Sequence, residues 1–344
     1  MTTATQAPRG APVSERPGLA GRVAGSPFVR LIARRILVAI PLLLAVSVLV
    51  FLLLELMPGD PARNQAGMDA TEEEVEAVRK SLGLDRPWYE RYFGWLFGAL
   101  TGNFGTSSVS GRPVVDLLAE RTPVTVELVV LAFIVSLAIA IPVALMAARK
   151  PGGFFDRLVM VIAMTILAVP NFVMALLLIL VFAVALRLLP SIGFVPFGDD
   201  PMGNIRSVIM PVLAISVPLA CFYARFLRSD LVEQLNAADY VDTARAKGAG
   251  PWKVLWGHAF RNSSFGLLTI VGLNVGALVG GTVIIEQIFA MPGLGVMMLD
   301  GVGSRDIAVV QMCVFIFAAV AIAANLVVDV LYAVLDPRIR YGSH

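Results

Sequence analysis

The chain has 344 residues, of which 58% are apolar and only 15% charged. That is too apolar for a soluble domain and typical of a protein that crosses a bilayer several times. A net charge of +2 gives no basic footprint for nucleic acid, and two histidines, His258 and His344, are too few for a histidine-built metal centre. Cys221 and Cys313 both sit in apolar segments and read as small buried hydrophobes rather than a disulfide pair.

Residues 1–31, rich in Pro, Gly, Ala and Arg, read as a flexible tail with no cleavable signal peptide. The remainder, 32–344, predicts an all-α membrane domain with six transmembrane helices near 36–56, 123–147, 158–186, 207–225, 265–288 and 308–333. Each run approaches or exceeds the roughly 20 residues that cross a bilayer. Pro170-Asn171 should kink the third span and free a backbone carbonyl. Positive charge gathers at Arg9 to Arg35, at Arg149, Lys150 and Arg157, between spans four and five, and at Arg338 and Arg340. By the positive-inside rule, both termini should lie in the cytoplasm of a plasma or inner membrane.

The one sizeable insert, 57–122, holds ten Asp/Glu against seven Lys/Arg and is expected to cap the extracytoplasmic mouth. Thr71 followed by Glu72-Glu73-Glu74 predicts a capped helix running through Val75, Val78 and Leu82 to Gly83. The aromatics from Trp88 to Phe97 suit the membrane interface. In span five, Gly272, Gly276, Gly280 and Gly281 leave a smooth face for close helix packing. Pro170, Asn171, Asn274 and Glu286 stand as candidates for a translocation path, because polar groups inside spans are costly and often functional.

The polar hairpin 230–262 carries the most information. A short helix is expected to stop at Gly248-Ala249-Gly250 and restart at Pro251. Ala237, Val241, Ala244 and Gly248 fall on one narrow face, flanked by Tyr240, Arg245 and Lys247, which another protein could approach closely. Tyr240 to Gly248, followed by His258-Ala259-Phe260-Arg261-Asn262, closely resembles the coupling loop of bacterial ABC importer permeases of the dipeptide/oligopeptide branch, first permease subunit. Asp242-Thr243 replaces the broader family's Glu-Ala, a departure shared with the peptide branch.

Further motifs extend the resemblance over roughly 32–341. They are Gly59-Asp60-Pro61, Gly102 to Ser107, Glu286 to Phe289 leading to Pro292-Gly293-Leu294-Gly295, Arg305-Asp306, and Asp329 with Asp336-Pro337-Arg338. By that resemblance, Tyr240, Asp242, Ala244, Arg245, Lys247, Gly248, His258, Arg261 and Asn262 contact an ATPase. The expected partners are a second homologous permease, two ATP-binding subunits or domains, and an extracytoplasmic binding protein. No Gly-x-x-x-x-Gly-Lys-Ser/Thr sequence occurs, so ATP and magnesium are expected on the partners and no cofactor on this chain. Nickel, glutathione-like peptides and oligosaccharides are the alternative cargoes. A secondary transporter would call for repeated halves and an intramembrane enzyme for a catalytic set within the spans, and neither is visible.

Overall fold

The computed structural model describes residues 27–56, 59–67 and 69–335. Residues 1–26 and 336–344 lie outside it, and with them nearly all of the expected tail. Asp336, Pro337 and Arg338 are therefore outside the described residues, as is the side chain of Asp329.

All described elements are helical apart from one isolated bridge, Thr106 to Pro113. Helix α1, Pro27–Glu55, leads into an insert holding α2, Pro61–Ala66, α3, Glu72–Ser81, and α4, Trp88–Leu100. Helix α5, Val114–Arg149, returns across the molecule. Helices α6, Phe154–Leu167, and α7, Asn171–Leu178, follow, the latter continued by a wider π-type stretch, Ile179–Ala185. Next come α8, Pro201–Ala237, α9, Asp239–Ala246, and α10, Pro251–Val254, which widens over Leu255–Ala259. Helices α11, Phe260–Ile288, α12, Leu294–Ser304, and α13, Ile307–Leu335, complete the chain.

Among the described residues, five helices are long and apolar enough to cross a membrane, and the pair α6 and α7, bent by 100° at its break, brings the number to six when it is counted as one passage. The sequence predicts a kink at Pro170; the structure replaces it with an elbow. Several helices outrun their apolar stretches, most clearly α8, which spans 37 residues because its polar last turns continue the helix into the hairpin. The first turns of α5 likewise take up residues 114–122 of the expected insert.

Lipid tails provide little hydrophobic drive between helices, so close approach of small residues does the work. Ala132, Ala140, Ala144 and Ala148 of α5 and Ala214, Ala220 and Ala224 of α8 are all buried where these two helices run together. Larger side chains fill the space beside them. Leu128, Met210, Ile215 and Phe289 build one cluster, and Tyr223, Leu227, Leu231 and Leu255 another.

Contacts sort the loops into two ends. At the insert end, Ser107 Oγ donates to Asp306 Oδ2 at 2.5 Å and the amide of Gly193 to the carbonyl of Phe289 at 2.8 Å. At the hairpin end, the Arg149 guanidinium lies 5.1 Å over the Trp252 ring, and Arg228 grips Asp156 through two hydrogen bonds of 2.8 and 2.5 Å. Thr71 caps α3 with a reciprocal Glu74 bond, as the sequence predicts. That bond holds the Glu74 carboxyl below the usual range. Helix α4 divides its aromatics: Tyr92 is buried, while Trp88, Tyr89, Phe93 and Phe97 face outward.

Candidate functional site

Helix α8 ends where Ala238 turns extended, and the eight residues of α9 begin at once. So short a helix is unstable alone and must lean on neighbours. Its Val241 is fully buried and its Ala244 nearly so, against Val254 of α10, and Tyr240 Oη donates to Gln234 Oε1 at 2.7 Å. The face read from sequence as a small docking surface is therefore half internal, because Val241 and Ala244 turn toward the hairpin's own core. Ala237 and Gly248 of that face stay exposed, as do Asp242, Thr243, Arg245, Ala246 and Lys247. Gly248 adopts φ +80°, the left-handed conformation that ends α9, and a Cβ there would meet nothing within 4 Å. His258, Arg261 and Asn262 are exposed on the second arm, as are Trp252 and Trp256.

Deeper in the bundle, the elbow opens on a cavity of about 220 Å³ lined by Leu167, Asn171, Pro218, Phe222, Asn274 and Gly281. Asn171 and Asn274, singled out separately in the sequence, thus face one space, with Pro170 at its edge as the N-cap of α7. Asn274 Nδ2 donates to the Ile270 carbonyl at 2.7 Å. The glycine face of α11 splits. A Cβ on Gly272 would overlap Val328 of α13 and one on Gly276 would lie 3.1 Å from Ala321, whereas Gly280 and Gly281 have open space. Gly272→Val is accordingly expected to destabilise the chain by about 1–3 kcal/mol, and Gly280→Ala to leave the thermal midpoint in detergent unchanged.

Glu286 corrects an expectation. It is fully buried, and its carboxylate accepts from Thr125 Oγ1 at 2.6 Å, Gly295 N at 2.8 Å and Val296 N at 3.2 Å. Thr125 Oγ1 in turn accepts from Leu294 N at 2.8 Å. Glu286 is thus no wall of a passage: it holds the turn Met291 to Gly295 and the start of α12. Pro292 sits in that turn, and the missing side chains of Gly293 and Gly295 make room for the carboxylate. Nothing in the sequence marked Thr125 as its partner, 161 residues away.

The other loop motif is equally structural. Asp60 Oδ1 caps α2 by accepting from Ala62 N at 3.0 Å, with Pro61 in the first turn, and Asp60 Oδ2 pairs with Arg79 at 2.5 Å. Gly59, at φ +116°, leaves space that the Arg305 guanidinium occupies.

A bundle of long apolar helices joined through small residues, with an elbow beside an open pocket and a compact polar hairpin at one end, is the architecture of a multi-pass membrane permease. The chain belongs to the family described as the binding-protein-dependent transport system inner membrane component, whose model matches residues 140–341. The N-terminal model of the same systems matches residues 28–129. A protein of Brucella abortus (strain 2308) named "Putative peptide transport system permease protein" is 41% identical over 311 residues, covering 90% of this chain and 99% of that protein. The glutathione transport system permease protein GsiC of Escherichia coli K12 is 39% identical over 310 residues, covering 90% and 98%. Among solved structures, the inward-facing MetNI methionine ABC transporter shares the fold. Its TM-score is 0.53 at 17% identity, covering 64% of this chain and 96% of that one.

Proposed function

We propose that this chain is the membrane-spanning permease subunit of an ATP-driven importer that carries di- and oligopeptides delivered by an extracytoplasmic binding protein. The observation that carries the reading is the hairpin. A short helix, set off by Ala238 and Gly248 yet internally packed, can be gripped and moved as a rigid body, a recognised way to pass a conformational change between subunits. The charge pattern supports a cytosolic hairpin end, with both termini on that side and the insert outside. Two ATPase units need two such hairpins, which supports pairing with a second homologous permease. ATP and magnesium then belong to the partner subunits. A glutathione-like peptide is the favoured variant cargo, given the named relative at 39% identity.

The test is ATP hydrolysis by the purified complex in lipid, with and without the binding protein and defined short peptides. Stimulation that requires both supports the proposal; hydrolysis indifferent to peptides but responsive to a metal or sugar overturns the cargo. Within the same assay, Gly248→Asp is expected to lower uptake at least tenfold in a complex that still inserts and assembles. The site has room for the side chain and the strain is confined to the backbone, about 1 kcal/mol. Normal uptake by this variant would remove α9 from the coupling contact.

A further inference from the structure

A second, unassigned pocket lies at the insert end. It is an open pocket of about 390 Å³ between Phe51 of α1, the end of α3, α4, residues 105–108 and the start of α13. Three buried side-chain atoms of its lining have no hydrogen-bond partner among the described residues: Arg91 Nε, Trp95 Nε1 and Gln311 Nε2. All three are N–H donors, and Gln311 is only 2% exposed. Buried polar groups are almost always paired, so three orphans of one sign around a single space point to a missing acceptor. The charges agree. Arg305 lines the same space and has no ion-pair partner among the described residues, whereas Asp306 is occupied by Ser107 and Arg91 Nη2 by Glu55. Glu90 is the one acid of the lining whose side chain has no hydrogen bond or ion pair among the described residues. Gly59 leaves room for the Arg305 guanidinium, which a Cβ there would overlap.

We propose that this pocket is an oxyanion site, binding a carboxylate or phosphate through Arg91, Trp95, Gln311 and Arg305. The group can come from the C-terminus of a free peptide or from the headgroup of an anionic lipid. The site stands apart from the transport reading, since it is drawn from the insert, α1 and the start of α13 and not from the hairpin.

The experiment uses the assembled complex in nanodiscs with fluorotryptophan in this chain, the Trp95 fluorine resonance being assigned with Trp95→Phe. A free-acid dipeptide and its C-terminal amide are titrated in phosphatidylcholine discs. Phosphatidylglycerol is then substituted for part of the lipid. A shift of the Trp95 resonance with the free acid but not the amide supports the site with a peptide source; a shift with phosphatidylglycerol alone supports it with a lipid source. Gln311→Leu and Arg305→Gln, each with an unchanged melting midpoint, should weaken that binding about tenfold, the loss of one charge-assisted hydrogen bond. No shift with any oxyanion, an equal shift with the amide, or unweakened binding by both variants overturns the proposal. Peptide-stimulated ATP hydrolysis is read in parallel, so failure of the pocket is distinguished from failure of the importer reading.

Discussion

Glu286→Ala is expected to destabilise the protein by about 3–5 kcal/mol, because it strands the Thr125 hydroxyl and two loop amides in a buried site. Folded domains hold only about 5–15 kcal/mol in all, so the variant should melt far earlier and expose residues 289–306 to protease. Glu286→Gln supplies the control. Its amide oxygen can still accept from Gly295 and Val296, while its NH2 must donate to a Thr125 oxygen that already accepts from Leu294, so the loss should be about 1–2 kcal/mol. Gly295→Ala should resemble Glu286→Ala, since its Cβ would lie 2.6 Å from the Val283 Cα, which no rotamer change relieves. Melting curves for the three variants decide the matter. Equal midpoints for wild type and Glu286→Ala would mean that the carboxylate does not hold the turn.

The second large effect is expected at Arg228. Its guanidinium forks onto Asp156, whose side chain is 4% exposed and whose Oδ2 also accepts from Gly152 N at 2.7 Å. Removing the arginine leaves a buried carboxylate without its counter-charge, so Arg228→Ala should lower stability by about 3–5 kcal/mol. Arg228→Lys keeps the charge and loses the fork, and should fall about midway. Replacing both residues by leucine removes the stranded charge and should recover most of the midpoint. The joint ties α6, one arm of the bent passage, to α8, which leads into the hairpin. Uptake per ATP in the double-leucine variant is therefore the telling quantity: stability restored without transport restored would separate a mechanical role from a merely structural one. A wild-type melting midpoint for Arg228→Ala would show that the pair joins nothing.

Features written in local chemistry were legible before the structure. The stop at Gly248, the restart at Pro251 and the cap at Thr71 each depend on residues within a turn of one another, and the passages across the membrane on runs of apolar side chains. The features that failed to show depend on distant partners. Asp156 and Arg228 lie 72 residues apart, and arginines in that region count in the sequence only toward topology. Glu286 reads as a polar group in an apolar span until the following loop is seen folding back over it. Helical spacing put Val241, Ala244 and Gly248 on one face but could not say whether that face looked outward or into the hairpin. For the same reason Pro170 marked an interruption, not its 100° angle, which neighbouring helices set.

That angle bears on the membrane itself. Helix α6 has 14 residues, and α7 with its π-type continuation has 8 and 7, so each arm is about 21–23 Å long. The hydrocarbon layer is about 30 Å thick, so neither arm crosses it alone, and a pair that spans it as one passage has its elbow inside. Helix α7 starts there with no side-chain cap, leaving its first amides to find acceptors elsewhere. Oil cannot supply them, so the depth at residues 168–172 has to be hydrated or walled by protein. A mid-bilayer point that excludes lipid is thus built into the backbone, whatever molecule passes beside it.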